Sequence, residues 1–176
     1  MASKGKIDIV LPVLQVNPGR LDLDEAYLRM AEVWALRSKA VRKQVGALIV
    51  KDRQIISDGY NGMPSGSEDD VCEYWDTADN EFSLGSDAQF QLKTKSEVLH
   101  AESNALMKIS ENGGVGAQGA TLYVTLSPCI DCAKLIVQSK IKRVVYREDY
   151  RITTGIDFLR KYGVQVQQLK NSKPTV

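Results

Sequence analysis

The segment from Ala120 to Arg147 constrains the fold of this chain more than any other. It reads as a strand, "ATLYVTL", then a helix within "CIDCAKLIVQSK", then a second strand, "RVVYR". Strands joined by a crossover helix pair in parallel, and such connections are right-handed in nearly all proteins. The segment therefore predicts a right-handed crossover between two parallel strands of an α/β sheet.

The residues around this segment extend the same pattern. A helix is predicted from Asp22, where apolar residues recur at helical spacing, and residues 45–51 and 54–60 read as a hairpin closed over Asp52 and Arg53. Further helices are predicted in "AESNALMKIS" and "GIDFLRKYG", and a last strand in "VQVQQL". Strands that alternate with helices predict a three-layer α/β/α sandwich with a mixed sheet of about five strands.

The length of 176 residues suits a single domain. We expect residues 21–170 to form it, with residues 1–20 as a loosely attached N-terminal arm and residues 171–176 as a C-terminal tail. A polar stretch at about 62–96 interrupts the pattern and has too few regularly spaced apolar residues to predict a helix or a strand. A loop of that length is usually functional or ordered by short helices of its own.

Composition excludes several classes of protein. A net charge of +1 gives no overall electrostatic attraction to duplex nucleic acid or to an anionic membrane. No segment reaches the roughly 18 apolar residues of a membrane span, and charge, proline and glycine interrupt the first twenty residues too often for a secretory signal. Three cysteines suit a reducing compartment better than a disulfide framework. We expect a cytoplasmic protein that binds neither membranes nor nucleic acids.

His100, the one histidine of the chain, could bind a metal ion together with two of the cysteines. Cys129 and Cys132 are three positions apart at the predicted start of a helix, so their sulfurs face one side of a turn whose dipole favours thiolates. One histidine with two cysteines suits Zn²⁺, and three protein ligands leave a coordination position open for water. For the C-x-x-C alone, a pair of small buried residues is the alternative.

Glu102 follows His100 by two positions, and this spacing restricts where the helix begins. Residues two apart within an α-helix point about 200° apart. The two side chains can therefore share a site only if the helix begins at or just before His100. We predict that two helix N-termini meet at the metal, one near His100 and the other at Pro128, with Ser127 capping the second.

Cys72, in the polar insertion, offers a different interpretation of the metal site. If it were a fourth ligand, the coordination would be closed, the zinc would be structural, and no water would be activated. A chain of that kind would be a zinc-stabilised domain that binds nucleotides without turning them over. The spacing of residues leaves both possibilities open.

These motifs together resemble those of the deoxycytidylate (dCMP) deaminases. "HAE" and "PCIDC" match the H-x-E and P-C-x-x-C elements of the zinc-dependent deaminases, and "GYNGMPSG" narrows the resemblance to the dCMP branch. The resemblance runs from about Ala26 to Val164. It implies a cytidine-deaminase-like fold and hydrolysis of dCMP to dUMP and ammonia by a zinc-activated water, a step that supplies thymidylate precursors.

The resemblance also implies roles for individual residues around the metal. His100, Cys129 and Cys132 match the zinc ligands of the family. Glu102 matches the residue that carries protons between water, ring nitrogen and departing amine. Ala101, between the histidine and the glutamate, matches a position whose backbone meets the pyrimidine. These assignments predict a catalytic zinc rather than a structural one.

For the rest of the substrate, the resemblance implies three further contacts. Asn61 matches an asparagine that meets the sugar hydroxyl, and Tyr150 with Arg151 matches a pair that receives the 5′-phosphate. Arg42 is a second anion contact. The residues by themselves allow plainer interpretations, with Asn61 in a turn, Tyr150 and Arg151 in an exposed loop, and Arg42 beside Lys43 at a solvated helix end.

Assembly and regulation are implied by the resemblance alone. Family members form hexamers and are often activated by dCTP and inhibited by dTTP, with Mg²⁺ accompanying the nucleotide. The extra His and Cys ligands of a second, structural zinc in some members are missing here, and "RSKA" stands where many relatives have "RSTC". A 5-substituted dCMP is an alternative substrate, and a base in RNA is a more distant one.

Overall fold

The computed structural model describes residues 20–77, 90–111 and 116–170. The predicted N-terminal arm, apart from residue 20, and the predicted tail at 171–176 lie outside the described residues. In chain order the elements are α1 (Leu23–Ala35), β1 (Gly46–Lys51), β2 (Gln54–Tyr60), β3 (Glu73–Thr77), β4 (Phe90–Thr94), α2 (Ala101–Glu111), β5 (Thr121–Leu126), α3 (Ile130–Gln138), β6 (Arg143–Glu148), α4 (Thr154–Lys161) and β7 (Gln165–Gln168).

Five strands form one mixed sheet in the order β2-β1-β5-β6-β7. β1 runs antiparallel to β2 and to β5, whereas β5, β6 and β7 are parallel. The predicted crossover is confirmed, since β5 pairs with β6 in parallel from Thr121 opposite Arg143 to Leu126 opposite Glu148, with α3 between them. The prediction of a mixed α/β sheet of about five strands is confirmed.

Alternate side chains of β1 belong to two different cores. Ala47 and Ile49 pack with residues of α2, α3 and α4, while Leu48 and Val50 pack with residues of α1. Because successive residues of a strand point to opposite faces, three helices cover one face of the sheet and α1 covers the other. The three-layer arrangement is therefore confirmed, and its core consists of two apolar layers separated by the sheet.

The β1–β2 hairpin turns where the sequence predicted. Asp52 and Arg53 have φ values of 50° and 64°, the left-handed conformation that a tight two-residue hairpin turn requires at both central positions. Asp adopts this region more readily than most residues with a side chain. The pairing of the two strands has one register shift, between Ile49 and Val50.

The polar insertion at about 62–96 contains regular structure that the sequence pattern did not predict. β3 and β4 pair antiparallel as a separate two-stranded sheet, with Glu73 opposite Thr94 and Trp75 opposite Leu92. Polar residues and solvent-exposed aromatic residues mix along both strands, which hides the alternation by which a half-buried strand is normally recognised. The expectation of a loop or short helices was wrong here, because strands order the described part of the insertion.

Arginines from β6 attach α1 to the sheet. The Arg147 guanidinium, which is 5% exposed, forms two hydrogen bonds with the Glu25 carboxylate (3.0 and 3.1 Å) and one with Glu32 (2.7 Å). Arg143 forms a second, two-point contact with Asp24. Asp24 and Glu25, in the first turn of α1, are therefore the partners of two arginines on β6.

No helix in the parts of the chain that the structure describes has the length and apolar character needed to cross a membrane.

Candidate metal centre and active site

The predicted ligands His100, Cys129 and Cys132 form a compact cluster. Nδ1 of His100 lies 3.4 Å from Sγ of Cys129 and 3.3 Å from Sγ of Cys132, and the three ligand atoms all lie within 4.8 Å of one another. Ligands at normal Zn–S and Zn–N distances in a tetrahedral site would be about 3.5 Å apart. The donor types and the spacing therefore fit a zinc ion, held through Nδ1 of the histidine.

Two helix N-termini meet at this cluster, as predicted, although the second helix begins two residues after Pro128. α2 begins at Ala101, directly after His100, and α3 begins at Ile130 with Cys129 as its N-cap residue. Because His100 precedes the helix, its side chain is not bound by helical spacing and can point to the same region as that of Glu102. The positive ends of both helix dipoles favour the two thiolates that a metal requires.

Ser127 does not cap α3, and that prediction was wrong. Its hydroxyl instead accepts the backbone N–H of Tyr150 (2.7 Å), while its own backbone N–H donates to the carbonyl of Glu148 (2.8 Å). Ser127 is buried, and β6 ends beside it because β5 and β6 are parallel neighbours. It thus joins the segment that carries Cys129 to the segment that carries Tyr150.

Two glycines allow the metal-binding helices to lie close to their neighbours. A Cβ atom on Gly59 of β2 would lie 2.2 Å from the carbonyl oxygen of Ala101, and one on Gly155 of α4 would lie 2.0 Å from that of Pro128. Both distances are far below contact, and the atoms met are backbone. The two glycines therefore set the positions of the first residues of α2 and of the segment that leads into α3.

The pKa values of the two cysteines diverge because they share one site. The pKa of Cys129 is lowered to about 4, first by a hydrogen bond from the Cys132 thiol and also by the neighbouring His100, against the opposing effect of burial. The pKa of Cys132 is strongly raised by that same hydrogen bond and by its burial. Cys129 is thus a ready thiolate at neutral pH, and Cys132 gives up its proton when a cation is bound.

Glu102 is buried beside the cluster but is not one of its ligand residues. It is 4% exposed and lines the same cavity as His100 and Cys129. Burial raises the pKa of its carboxyl, and the nearby His100 opposes that shift. A carboxyl group in this position can accept a proton from one reacting group and donate it to another.

Cys72 lies away from the cluster. It is fully buried in a small apolar group with Ala40, Val98 and Met63, and burial raises the pKa of its thiol. Among the described residues, the group of potential ligands comprises His100, Cys129 and Cys132 without Cys72. The arrangement therefore does not support a fourth cysteine ligand or a closed zinc site.

A cavity of about 730 Å³ opens beside the metal ligands. All of the predicted substrate contacts line it, and they come from four separate parts of the chain: Arg42, Asn61, Ala101, Tyr150 and Arg151. The structure therefore brings together every residue that the sequence singled out for substrate, and it does so within one cavity that also contains His100, Glu102 and Cys129. Cys132 lies behind that surface, where it is 3% exposed.

Asn61 is more than a turn residue. Its Oδ1 accepts the backbone N–H of Val45 (2.7 Å), and its Nδ2 donates to the carbonyl of Lys43 (2.9 Å). A primary amide has two N–H groups and two acceptor lone pairs, so each end of the side chain keeps one further hydrogen-bonding position. Asn61 thus holds the 43–45 backbone and can still meet a hydroxyl group in the cavity.

Arg42 does not lie at a helix end, because α1 ends at Ala35. It belongs to the irregular segment between α1 and β1, and its guanidinium donates to Oγ1 of Thr94 (3.1 Å) on the β3–β4 hairpin. Lys43 forms an ion pair with Glu148 (2.5 Å), and both line the cavity. Also lining the cavity, the Arg151 guanidinium lies 5.7 Å from the ring centre of Tyr150.

The sequence did not indicate the residues that the β3–β4 hairpin contributes to the cavity. Five of them line its wall: Glu73, Gln91, Leu92, Lys93 and Thr94. Their approach depends on where the hairpin packs, and no local pattern in the insertion specifies that packing. The pairing of Glu73 with Thr94 across the hairpin has no signal in the sequence of either strand alone.

Comparison with known proteins places this arrangement in a family. The model of the cytidine and deoxycytidylate deaminase zinc-binding region matches residues 21–148. Human deoxycytidylate deaminase is 40% identical over 131 residues, which are 73% of this chain and 66% of the human protein. Its counterpart from Enterobacteria phage T4 is 38% identical over 170 residues, covering 79% of this chain and 86% of the phage protein.

A solved structure agrees with these relatives in both fold and sequence. The dCMP deaminase of cyanophage S-TIM5, crystallised in complex with dCMP and dUMP, superposes with a TM-score of 0.71 at 39% identity. The match covers 84% of this chain and 96% of the cyanophage chain. The compact His100, Cys129 and Cys132 cluster falls within the matched zinc-binding region. This chain is therefore a member of the cytidine and deoxycytidylate deaminase zinc-binding family.

Proposed function

We propose that this chain is a zinc-dependent hydrolase that converts dCMP and water to dUMP and ammonia. One observation carries the proposal: a buried carboxylate that is not a ligand, Glu102, lines the same cavity as two members of the three-residue metal cluster, His100 and Cys129. The relatives named deoxycytidylate deaminase and the dCMP and dUMP complex of the cyanophage structure support the choice of substrate.

The zinc ion and Glu102 have different roles in the deamination. Zn²⁺ held by His100, Cys129 and Cys132 supplies the Lewis acidity that makes a water nucleophilic at neutral pH. Glu102 takes a proton from the water that adds to C4 of the pyrimidine and delivers it to the ring nitrogen N3. It then transfers the second proton of that water to the 4-amino group, which leaves as ammonia.

Two residues near the metal orient the nucleoside part of the substrate. The backbone of Ala101, at the first position of α2, faces the cavity between the ligand His100 and the acid Glu102, and it meets the pyrimidine. The amide of Asn61, fixed by its bonds to residues 43 and 45, offers its remaining hydrogen-bonding positions to the sugar hydroxyl. Both groups are held before the substrate binds, which favours a defined orientation.

Cationic and phenolic groups that line the cavity receive the 5′-phosphate. They are Arg42, Tyr150 and Arg151, and an arginine can bind a phosphate through two parallel hydrogen bonds. Because the net charge of the chain is only +1, these local donors rather than an overall field account for binding of a nucleoside monophosphate.

Other expectations remain predictions of the family resemblance. They are assembly into a hexamer, activation by dCTP and inhibition by dTTP with Mg²⁺ accompanying the nucleotide, and a cytoplasmic location. A 5-substituted dCMP is an alternative substrate. A panel that includes 5-methyl-dCMP resolves this choice of substrate.

The proposal is tested by ammonia release from dCMP, CMP, dCTP, 5-methyl-dCMP and deoxycytidine, each with zinc-loaded protein and with and without dCTP and Mg²⁺. We expect kcat/KM for dCMP to exceed that for deoxycytidine by about 100-fold or more, since charge-assisted hydrogen bonds to the phosphate contribute about 1.5–3 kcal/mol each. Equal turnover of deoxycytidine would contradict phosphate recognition, and no release of ammonia from any compound would contradict the deaminase proposal itself.

A further inference from the structure

One cross-strand pair of the β3–β4 hairpin contacts both ends of Arg42. The Glu73 carboxylate accepts the backbone N–H groups of Val41 (3.1 Å) and Arg42 (3.3 Å). Oγ1 of Thr94 accepts a hydrogen bond from Nη1 of Arg42 (3.1 Å). Glu73 and Thr94 lie directly opposite each other in the hairpin. A single pair of residues thus holds the backbone and the guanidinium of one arginine.

The burial of Glu73 makes this contact specific. The residue is 6% exposed, and a buried carboxylate is costly unless hydrogen bonds satisfy its oxygens. Here each oxygen accepts an N–H from a backbone position more than thirty residues earlier in the chain. The hairpin and the Val41–Arg42 backbone are therefore fixed relative to each other, because a shift of either would leave the carboxylate unsatisfied.

The segment that carries Arg42 is held by contacts with other parts of the chain. It lies between the end of α1 at Ala35 and the start of β1 at Gly46, outside any helix or strand. Asn61 holds its later part through the backbone of Lys43 and Val45, and Glu73 holds the part that precedes Lys43. The direction in which Arg42 leaves the backbone, toward the cavity that it lines, is set by these two contacts and by Thr94.

We propose that Glu73 and Thr94 are positioning residues that hold Arg42 for the anionic group of the substrate. This inference rests on the proposed function, and it gives the inserted hairpin a role in setting the preference for a nucleoside monophosphate over the nucleoside. Neither residue contacts the reacting atoms. Both act through the guanidinium of Arg42, which is held in place before the phosphate arrives and therefore loses less freedom on binding.

Thr94 provides the sharpest test because isosteric and conservative variants exist. Thr94→Val removes the hydroxyl but keeps the shape, while Thr94→Ser keeps the hydroxyl. We expect Thr94→Val to raise KM for dCMP about fivefold with kcat within about twofold, which is the effect of one lost hydrogen bond on binding alone. Thr94→Ser should restore the KM, and kcat/KM for deoxycytidine should be unchanged in both variants.

A double-mutant cycle separates positioning from a direct contact or from general stability. In an Arg42→Ala background, Thr94→Val and Glu73→Gln should have no further effect on KM for dCMP, because the group through which they act is gone. An undiminished effect of Thr94→Val in that background would overturn the inference. An equal loss of kcat/KM for dCMP and for deoxycytidine in Thr94→Val would also overturn the inference.

Product binding distinguishes failure of this inference from failure of the proposed function. Calorimetric titration of the zinc-loaded protein gives Kd for dUMP and for deoxyuridine without turnover. We expect dUMP to bind more tightly, and Thr94→Val to reduce the ratio of the two Kd values about fivefold. If the native protein neither turns over dCMP nor binds dUMP, the proposed function is wrong. If it does both and the ratio is unchanged in Thr94→Val, only the positioning proposal is wrong.

Discussion

The two faces of the central sheet are built on different principles. On one face α2, α3 and α4 pack through an apolar core, and the zinc ligands and Glu102 lie where two of these helices begin. On the other face the single helix α1 packs through a smaller apolar group and is held by the ion pairs of Arg143 and Arg147. The metal cluster and Glu102 thus lie on one face, and the ion pairs of Arg143 and Arg147 lie on the other.

This difference indicates a separation between activity and stability. The face that carries the metal keeps its polar groups for substrate and cofactor and obtains its cohesion from burial of apolar surface. The α1 face lies on the opposite side of the sheet and can use buried charges without disturbing the site. Substitutions on the first face should therefore change turnover and metal content, whereas those on the second should change the free energy of unfolding.

Removal of a metal ligand is expected to have the largest effect. Cys132→Ala should reduce zinc from one ion per chain to a residual level and abolish ammonia release, because two remaining ligands cannot form a stable site. Cys72→Ala is the matched control, and it should retain both zinc and turnover. Metal analysis after dialysis, together with an activity assay, checks both variants. Loss of zinc from Cys72→Ala would reinstate a closed, structural site.

Glu102→Gln tests the proton carrier without removing the metal. We expect kcat to fall by about 10²–10⁴-fold, the range typical of general acid–base catalysis, while zinc content stays at one per chain. The amide preserves the shape of the buried side chain, so the thermal midpoint should change little. Turnover within a few-fold of the native protein would remove Glu102 from the mechanism.

On the opposite face, Glu25→Gln breaks the buried pair with Arg147. Arg147 keeps its hydrogen bond to Glu32, so loss of the Glu25 carboxylate should cost roughly 1.5–3 kcal/mol of unfolding free energy, measured by urea denaturation. At temperatures well below the new midpoint, kcat and KM for dCMP should stay close to native values. A variant that kept its stability but lost turnover would contradict the separation of the two faces.

The same pair predicts how stability depends on pH. Hydrogen bonds from Arg147 hold the pKa of the Glu25 carboxyl below its ordinary value of 4.5. A lowered pKa stabilises the fold at pH values above 4.5, and this contribution is lost as the pH falls through the lower, folded-state value. Stability of the native protein should therefore decline more steeply below pH 4.5 than that of Glu25→Gln, as measured by urea midpoints at several pH values.

The smallest expected effect is that of Tyr123→Phe. The Tyr123 hydroxyl donates to Oδ1 of Asp24 (2.6 Å), which also accepts from Arg143. Because Asp24 keeps its arginine, loss of the hydroxyl should cost about 1 kcal/mol with no change in turnover. A destabilisation as large as that of Glu25→Gln would show that the two arginine contacts act as one network rather than separately.

The sequence was most informative where local spacing decides the structure. The Cys129–Cys132 interval, the two-residue step from His100 to Glu102 and the predicted helix starts were enough to predict the metal cluster that the structure forms. The crossover between β5 and β6 was predictable for the same reason, since strand, helix and strand follow one another with short connections.

What the sequence did not indicate depends on contacts between distant residues. Glu25 bonds to Arg147 across 122 positions, and Glu73 reaches Arg42 across 31. Such partners become neighbours only once the sheet order and the packing of the hairpin are known. Ser127 was misassigned as a helix cap because a serine before Pro-Cys has a local use, whereas its actual partner, Tyr150, comes from the segment that follows the adjacent parallel strand.

The hydroxyl of Ser127 has a consequence for how relatives of this chain can diverge. It fixes the strand end that leads to Cys129 against the backbone of Tyr150, so a change of length or direction in the 148–151 segment would also displace a metal ligand. The β3–β4 hairpin has no such tie to the ligands among the described contacts. We therefore expect new substrate preferences in this lineage to arise by remodelling of the hairpin, and the 148–151 segment to stay constant in length.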